Sequence, residues 1–375
     1  MPRKPSRPPL QEYVPLAPMT TIGLGGPARY FAEARSIDEI GAYLDWADDQ
    51  GAPVHLLGGG SNVIFPDAGY PGLVLRVAIR GLFFRKDGPD HVLAVAGAGE
   101  PWDAFVAECV RRGLGGLECI SGVPGLAGAT PIQNVGAYGQ EVGPVVRRVR
   151  AIERRTRKQV EIDGTDCGFR YRHSRFKGAD RGRFVITAVV YRLRAAAAPG
   201  VAYEELRRHL QKTGRDPAAL PAGPAGLGAV RAAVLEIRKR KSMLADPADP
   251  DARSAGSFFE NPLLDARAFA ALERRWRQGG GTGGIPAFDA EEPGRGRLKK
   301  VSAAWLIEQA GFPKGLRRGG AGISSKHALA LVNAGGTAAE LLALAGEIRA
   351  AVKNRFGVEL EQEPALVDEH TTDRA

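Results

Sequence analysis

The chain has 375 residues, 44% apolar and 25% charged, the balance of a globular protein with real cores and room for two or three domains. That composition excludes global disorder, and no run reaches the about eighteen uninterrupted apolar residues that a membrane-crossing helix needs. A net charge of +10, from 52 basic against 42 acidic side chains, favours anionic partners such as nucleotides, phosphates or nucleic acid without choosing among them.

Residues 1–18 are rich in proline and read as a flexible basic tail; they lack the apolar core of a secretory signal, so a cytoplasmic location is expected. Residues 36–50 read as a helix, with Ser36 and Glu39 spaced as a capping box, Ile37, Ile40, Leu44 and Ala47 on one face, and Gly51 as the C-terminal cap. A strand at 54–57 runs into Gly58, Gly59, Gly60, Ser61 and Asn62, and another strand follows at 73–77. A second helix is expected over 101–112, then a glycine-punctuated stretch from Gly122 to Gly139. Strands resume at 145–152, 160–162 and 184–193. An alanine run near 195–200 suggests a boundary, followed by helices at 202–211 and 229–240, joined by a mobile Pro/Gly loop, and by a low-complexity insert at 279–296. Thr337 and Glu340 form a capping box for a helix whose inner face is Leu341, Ala345, Ile348, Val352 and Phe356. Residues 358–363 then alternate as a strand, with Glu359, Glu361 and Glu363 on one face. The pattern is α+β, with a nucleotide-binding part to about residue 200 and a smaller C-terminal part.

Cys109, Cys119 and Cys167 show no metal-ligand or disulfide spacing and read as small buried side chains, so no metal is expected. Glycines 23, 25 and 26 imitate a dinucleotide fingerprint, but no strand precedes them and Pro27 interrupts the pattern, so they read as a turn. Gly58, Gly59 and Gly60 leave backbone N–H groups uncovered beside Ser61 and Asn62, a combination that suits a diphosphate, although a triple glycine after a strand is more often a tight turn. No Lys-Ser/Thr ending marks a Walker loop. The second surface carries Gly122, Pro124, Gly125, Gly128, Gln133, Asn134, Gly136 and Tyr138. Two such surfaces suit an extended ligand such as FAD.

Residues 167–177 alternate aromatics with cations. At period two, Phe169, Tyr171 and His173 share one face and Arg170, Arg172 and Ser174 the other, which fits an anion-gripping strand or a solvated edge strand equally well. Ser257 follows a glycine and precedes two aromatics; a hydrogen-bonded turn is its ordinary role, and no partner pattern supports a hydrolase triad.

Seven ordered motifs, beginning near Thr21, Leu57, Gly122, Tyr171, Ala255, Lys300 and Leu360, resemble the UDP-N-acetylenolpyruvoylglucosamine reductase family over nearly the whole chain. The resemblance implies an α+β protein with an FAD-binding domain of the vanillyl-alcohol-oxidase type in two subdomains over 19–200. A substrate-binding domain would follow over 201–357, and a C-terminal strand and tail, 358–375, would return to the active site. It implies non-covalent FAD between the glycine loops, NADPH as co-substrate, and reduction of UDP-N-acetylglucosamine enolpyruvate to UDP-N-acetylmuramate for peptidoglycan precursor synthesis. By motif position Arg172 and Glu363 resemble the cation and acid beside the substrate carboxylate, and Ser257 the proton donor. Tyr171, Tyr203, Lys241, Asn261 and Gln309 match substrate-holding positions.

Two departures stand out. Glu363 is followed by Pro364-Ala-Leu366 rather than Val-Arg, which keeps Glu361 as an alternative acid, and the Tyr203 segment matches the mobile-loop subgroup only at Tyr203 and Leu206. The competing expectations are an FAD-dependent oxidase of the same fold acting on an alcohol or sugar, and a non-enzymatic nucleotide or nucleic-acid binding module. The oxidase is disfavoured because residues 58–62 contain no His or Cys to attach a flavin. A monomer is expected.

Overall fold

The computed structural model describes residues 8–246, 248–292 and 294–367. Its first sheet has the order β1-β2-β5-β3, with β1 (Gln11–Pro15), β2 (Pro27–Ala34), β3 (Val54–Leu57) and β5 (Tyr70–Val77). Strands β2, β5 and β3 run parallel, because α1 (Ile37–Gln50) carries the chain back between β2 and β3. Ser36 caps α1 by accepting from the Glu39 amide at 3.1 Å, and Gly51 closes it at φ +61°. Glu39 turns to the amide of Arg35 instead, so only one arm of the expected box forms.

Part of the expected tail is structured. Gln11–Pro15 pairs with β2 and Leu16 is fully buried against Phe65 and Tyr70, a ladder and an apolar contact that tie the segment down. Residues 1–7 of that expectation lie outside the described residues.

The second sheet is antiparallel and runs through Gln159–Asp163, Val146–Glu153, Phe184–Ala195, β7 (His91–Gly97) and β6 (Leu82–Lys86). Helix α2 (Trp102–Arg111) covers it, with Trp102 and Phe105 buried beside Tyr191. One core joins both sheets, from Leu44 and Leu75 to Val149 and Tyr191.

A separate core lies in the C-terminal part, among α5 (Ala266–Gln278), α6 (Ala303–Gln309) and α7 (Ala338–Phe356). Both arms of the Thr337/Glu340 capping box form. Ile22, Leu24 and Ile64 of the N-terminal part enter this core, and the Asp67 carboxylate accepts from the Ala338 and Ala339 amides at 2.8 and 3.0 Å. The two parts are thereby bolted together.

Packing bears on three of the expectations. Helices α3 (Glu204–Lys212) and α4 (Pro224–Arg240) follow the alanine run, yet they bury Leu206, Leu210, Val234 and Ile237 around Cys119 of the N-terminal part. The insert at 279–296 contains a strand, Ala287–Glu292, because it pairs with Gly296–Val301. Residues 358–363 form no strand ladder; only the single bridge Phe259–Gln362 is made.

Candidate active site

The two glycine loops meet. Ser61 Oγ donates to the Pro124 carbonyl at 3.1 Å, and a Cβ on Gly59 would lie 2.7 Å from the Gly125 Cα, so a side chain there would force the loops apart. Gly60 has φ +65°, and a Cβ there would lie 1.9 Å from the Met19 carbonyl oxygen. Among the described residues, the amides of Gly59, Gly60, Ser61 and Asn62 donate to no protein acceptor. Four adjacent free N–H groups on a tight turn form a nest that suits a diphosphate.

Not every residue of the second loop is free for a ligand. Gly122 donates to Asp103 and accepts from Arg238, and Gly128 donates to the Ala98 carbonyl, with no room there for a Cβ. Asn134 is buried and both ends of its side chain are engaged: Oδ1 accepts from Gly143, while Nδ2 donates to Glu141 and to the Arg170 carbonyl. Its side chain is thus engaged within the protein. Gly136 accepts from Arg172 at 2.8 Å.

Residues 167–177 do not form the expected strand. Arg170 and His173 make a single reciprocal bridge, and Arg172 takes a left-handed backbone, φ +51°, at the turn between them. The two faces expected from period-two alternation therefore do not exist. A bulky residue held there costs roughly 1–3 kcal/mol, strain that accumulates at functional sites.

That turn aims Arg172 at Glu363. Its Nε lies 3.2 Å from Glu363 Oε1, without an aligned hydrogen bond, and both side chains are largely buried. Glu361, the alternative acid, is exposed, and only its carbonyl is used, accepting from Glu260. Burial pushes the Glu363 carboxyl above its ordinary value, opposed by Arg172 and Lys177. Gln133 reaches Glu363 at 3.4 Å, and Asn62 Nδ2 donates to Gln133 at 2.7 Å and to the Glu363 carbonyl at 3.2 Å. Both glycine loops thus converge on Glu363.

Ser257 arrives on the segment paired with that of Glu363, which donates its amide to the Phe258 carbonyl at 2.9 Å. Tyr171 is half-buried with its phenol at the Asn261 backbone, and burial raises its pKa. The Asn261 side chain accepts from Ala303 at the start of α6. Tyr203, 41% exposed, caps α3 and stands edge-on to Tyr138 at 5.6 Å. Lys241 pairs with Glu205 at 2.6 Å. Gln309 ends α6, its carbonyl taken by Arg355, and among the described residues no hydrogen bond or ion pair joins it to the Arg172 cluster.

Three neighbours escaped the sequence reading. Lys300 Nζ lies 4.8 Å from the Tyr171 ring, with its pKa lowered by burial and by Arg172. Lys177 and Glu260 pair at 2.8 Å. All three sit inside motifs that the sequence displays, but nothing in their spacing distinguishes them from surface charges.

The model of the UDP-N-acetylenolpyruvoylglucosamine reductase C-terminal domain matches residues 247–367, and that of an FAD binding domain matches 28–157. A UDP-N-acetylenolpyruvoylglucosamine reductase of Thermobifida fusca is 46% identical over 94% of this chain and 97% of its own length. The chain belongs to the UDP-N-acetylenolpyruvoylglucosamine reductase family. A second family member, from Streptomyces coelicolor, is 47% identical over 96% of this chain and 91% of its own. The fold agrees with the crystal structure of the enzyme of that name from Thermus caldophilus, TM-score 0.62 at 24% identity, covering 96% of this chain and 99% of that one. In this member of the family, both glycine loops fall inside the FAD-binding match, and the free amides of Gly59, Gly60, Ser61 and Asn62 fit FAD's diphosphate. The expected α+β class with an FAD-binding domain and a second domain holds.

Proposed function

We propose that this protein reduces UDP-N-acetylglucosamine enolpyruvate to UDP-N-acetylmuramate at the expense of NADPH, in peptidoglycan precursor synthesis. FAD, when bound, supplies the relay of hydride from NADPH to the enolpyruvyl methylene. The observation that carries the reading is the convergence of Arg172, Glu363 and the Ser257 segment at the junction of the glycine loops.

Hydride addition leaves negative charge spreading from the adjacent carbon into the carboxylate. The Arg172 guanidinium answers that charge, and Glu363, with its pKa raised by burial, supplies an acid form beside it. Ser257 gives the proton to the carbon next to the carboxylate, and its hydroxyl needs neighbouring charge because serine is a weak acid. Gly58, Gly59, Gly60, Ser61 and Asn62 hold the FAD diphosphate, with Gly122, Pro124, Gly125, Gly128, Gln133 and Gly136 bounding the cofactor. Tyr171, Tyr203, Lys241, Asn261 and Gln309 hold the UDP sugar. By the packing above, the FAD-binding part extends through α4, and the substrate-binding part begins near residue 247. No described helix is long and apolar enough to cross a membrane; a cytoplasmic monomer is the reading we adopt.

The test is the visible spectrum of the purified protein under anaerobic conditions. Flavin bands should bleach with NADPH and return on addition of UDP-N-acetylglucosamine enolpyruvate. Return with air alone, indifferent to the sugar, overturns the reading in favour of an oxidase.

A further inference from the structure

Three groups assigned to the chemistry lie on three separate stretches of chain. Arg172 belongs to the N-terminal part, while Ser257 and Glu363 belong to the C-terminal part. Their relative placement therefore depends on whatever joins these stretches. The glycine-loop contacts position Glu363, through Asn62 and Gln133. They do not touch the Ser257 segment.

Lys177 does. Its Nζ donates to the carbonyl of Arg172 at 3.0 Å and to Glu260 Oε1 at 2.8 Å. The first contact grips the strained residue itself, at the peptide that follows its left-handed φ of +51°. The second contact reaches a residue three positions beyond Ser257, whose own amide donates to the Glu361 carbonyl. One ammonium thus connects the arginine turn, the serine segment and, through Glu260, the terminal segment. Glu260 is 12% exposed at its side chain, and Lys177 is 32% exposed, so the pair is shielded enough to be directional rather than a loose surface contact.

We infer that Lys177 and Glu260 are positioning residues that hold Arg172 in register with Ser257 across the interface between the two parts of the chain. Neither is placed to touch the reacting carbon; each acts through the groups that are. The inference rests on the functional reading above, because it assigns Arg172 and Ser257 their roles.

It has a distinctive consequence. Flavin reduction by NADPH needs neither the carboxylate cation nor the serine, whereas reoxidation by the enolpyruvyl sugar needs both. Displacing catalytic groups by about 1 Å can cost roughly 100-fold in rate. Lys177→Met and Glu260→Gln should each slow flavin reoxidation by roughly 10- to 100-fold while changing the NADPH bleaching rate less than about threefold. The double variant should be no slower than the worse single one, because both changes break one connection. Lys177→Arg, which keeps a donor cation, should recover much of the rate.

Anaerobic stopped-flow absorbance of the FAD-loaded enzyme reads both half-reactions. Equal slowing of bleaching and reoxidation, additive effects in the double variant, or loss of bound FAD from both single variants would each overturn the inference, since they point to general structural support. Ser257→Ala, run alongside, separates the two levels. If that variant is reoxidised normally by the sugar, the role given to Ser257 fails and the positioning inference with it, while the reductase reading stands; if it is slow while Lys177→Met and Glu260→Gln are normal, only the positioning inference fails.

Discussion

The amide of Glu363 donates to the carbonyl of Phe258 at 2.9 Å, so the segment around Glu363 lies directly alongside the backbone that carries Ser257. The same residue presents its carboxylate to Arg172 at 3.2 Å. One residue therefore ties the proton donor's segment by its backbone and the cation by its side chain.

Removing the serine hydroxyl should separate the half-reactions. Ser257→Ala is expected to leave bleaching by NADPH intact and to slow return of the flavin bands by roughly 10²–10⁴-fold, the usual worth of a positioned proton donor. Single-turnover absorbance with the enolpyruvyl sugar measures it, and an unchanged return rate removes Ser257 from the chemistry.

The raised pKa of Glu363 carries a sign. Burial favours its neutral form, so the acid form persists above the ordinary carboxylate value of 4.5 and is lost as pH rises through the raised value. The reoxidation rate should fall on the alkaline side of that midpoint. Glu363→Gln should lower the rate and abolish that limb in a pH profile of single turnovers; a limb that survives the substitution belongs to another group.

Contact between the glycine loops predicts a steric effect on cofactor retention. Gly59→Ala places a methyl 2.7 Å from the Gly125 backbone and should yield protein with far less bound flavin. Gly41→Ala, where a methyl meets nothing within 4 Å on α1, should retain flavin and gain about 0.5–1 kcal/mol in stability. The ratio of flavin to protein absorbance after gel filtration decides the first, and thermal melts the second.

His55 should confer acid sensitivity. Its ring packs edge-on to Phe65 and Tyr70, and burial, with Arg154 and Arg181 adding to it, lowers its pKa to about 4. A depressed histidine favours the folded state above the unfolded value of 6.5, and that contribution declines as pH falls from 6.5 towards 4, by at most about 3 kcal/mol. His55→Phe should flatten the stability profile across that window, as urea melts at several pH values would show.

Capping across the interface is also measurable. Asp67→Ala removes acceptors from the first two amides of α7 and should cost about 0.5–2 kcal/mol, seen as a lower melting temperature with the flavin site intact.

The local devices were legible before any coordinates. Ser36 and Thr337 cap the helices that their spacing predicts, and Gly51 and Gly357 end them in left-handed geometry, because capping depends on residues three or four apart. The triple glycine announced a turn with free amides, and the ordered motifs announced the family. Period-two alternation failed at residues 167–177, where it suggested a strand and tertiary contacts imposed a turn. Asn134, grouped with the cofactor residues by its glycine-rich surroundings, proved to be spent on Gly143, Glu141 and Arg170.

What local sequence determined was therefore which residues cap, turn and present chemistry, since those properties are set by φ/ψ preference and side-chain type within a few positions. Only the tertiary structure decided that Glu363 rather than Glu361 faces Arg172, and that Lys177 joins Glu260, 83 residues away in sequence. Spacing along the chain specifies neighbours on one element; which elements meet, and with which face, is set by the burial of Ile22, Leu24 and Ile64 in the C-terminal core and by the approach of Glu363 to the glycine loops.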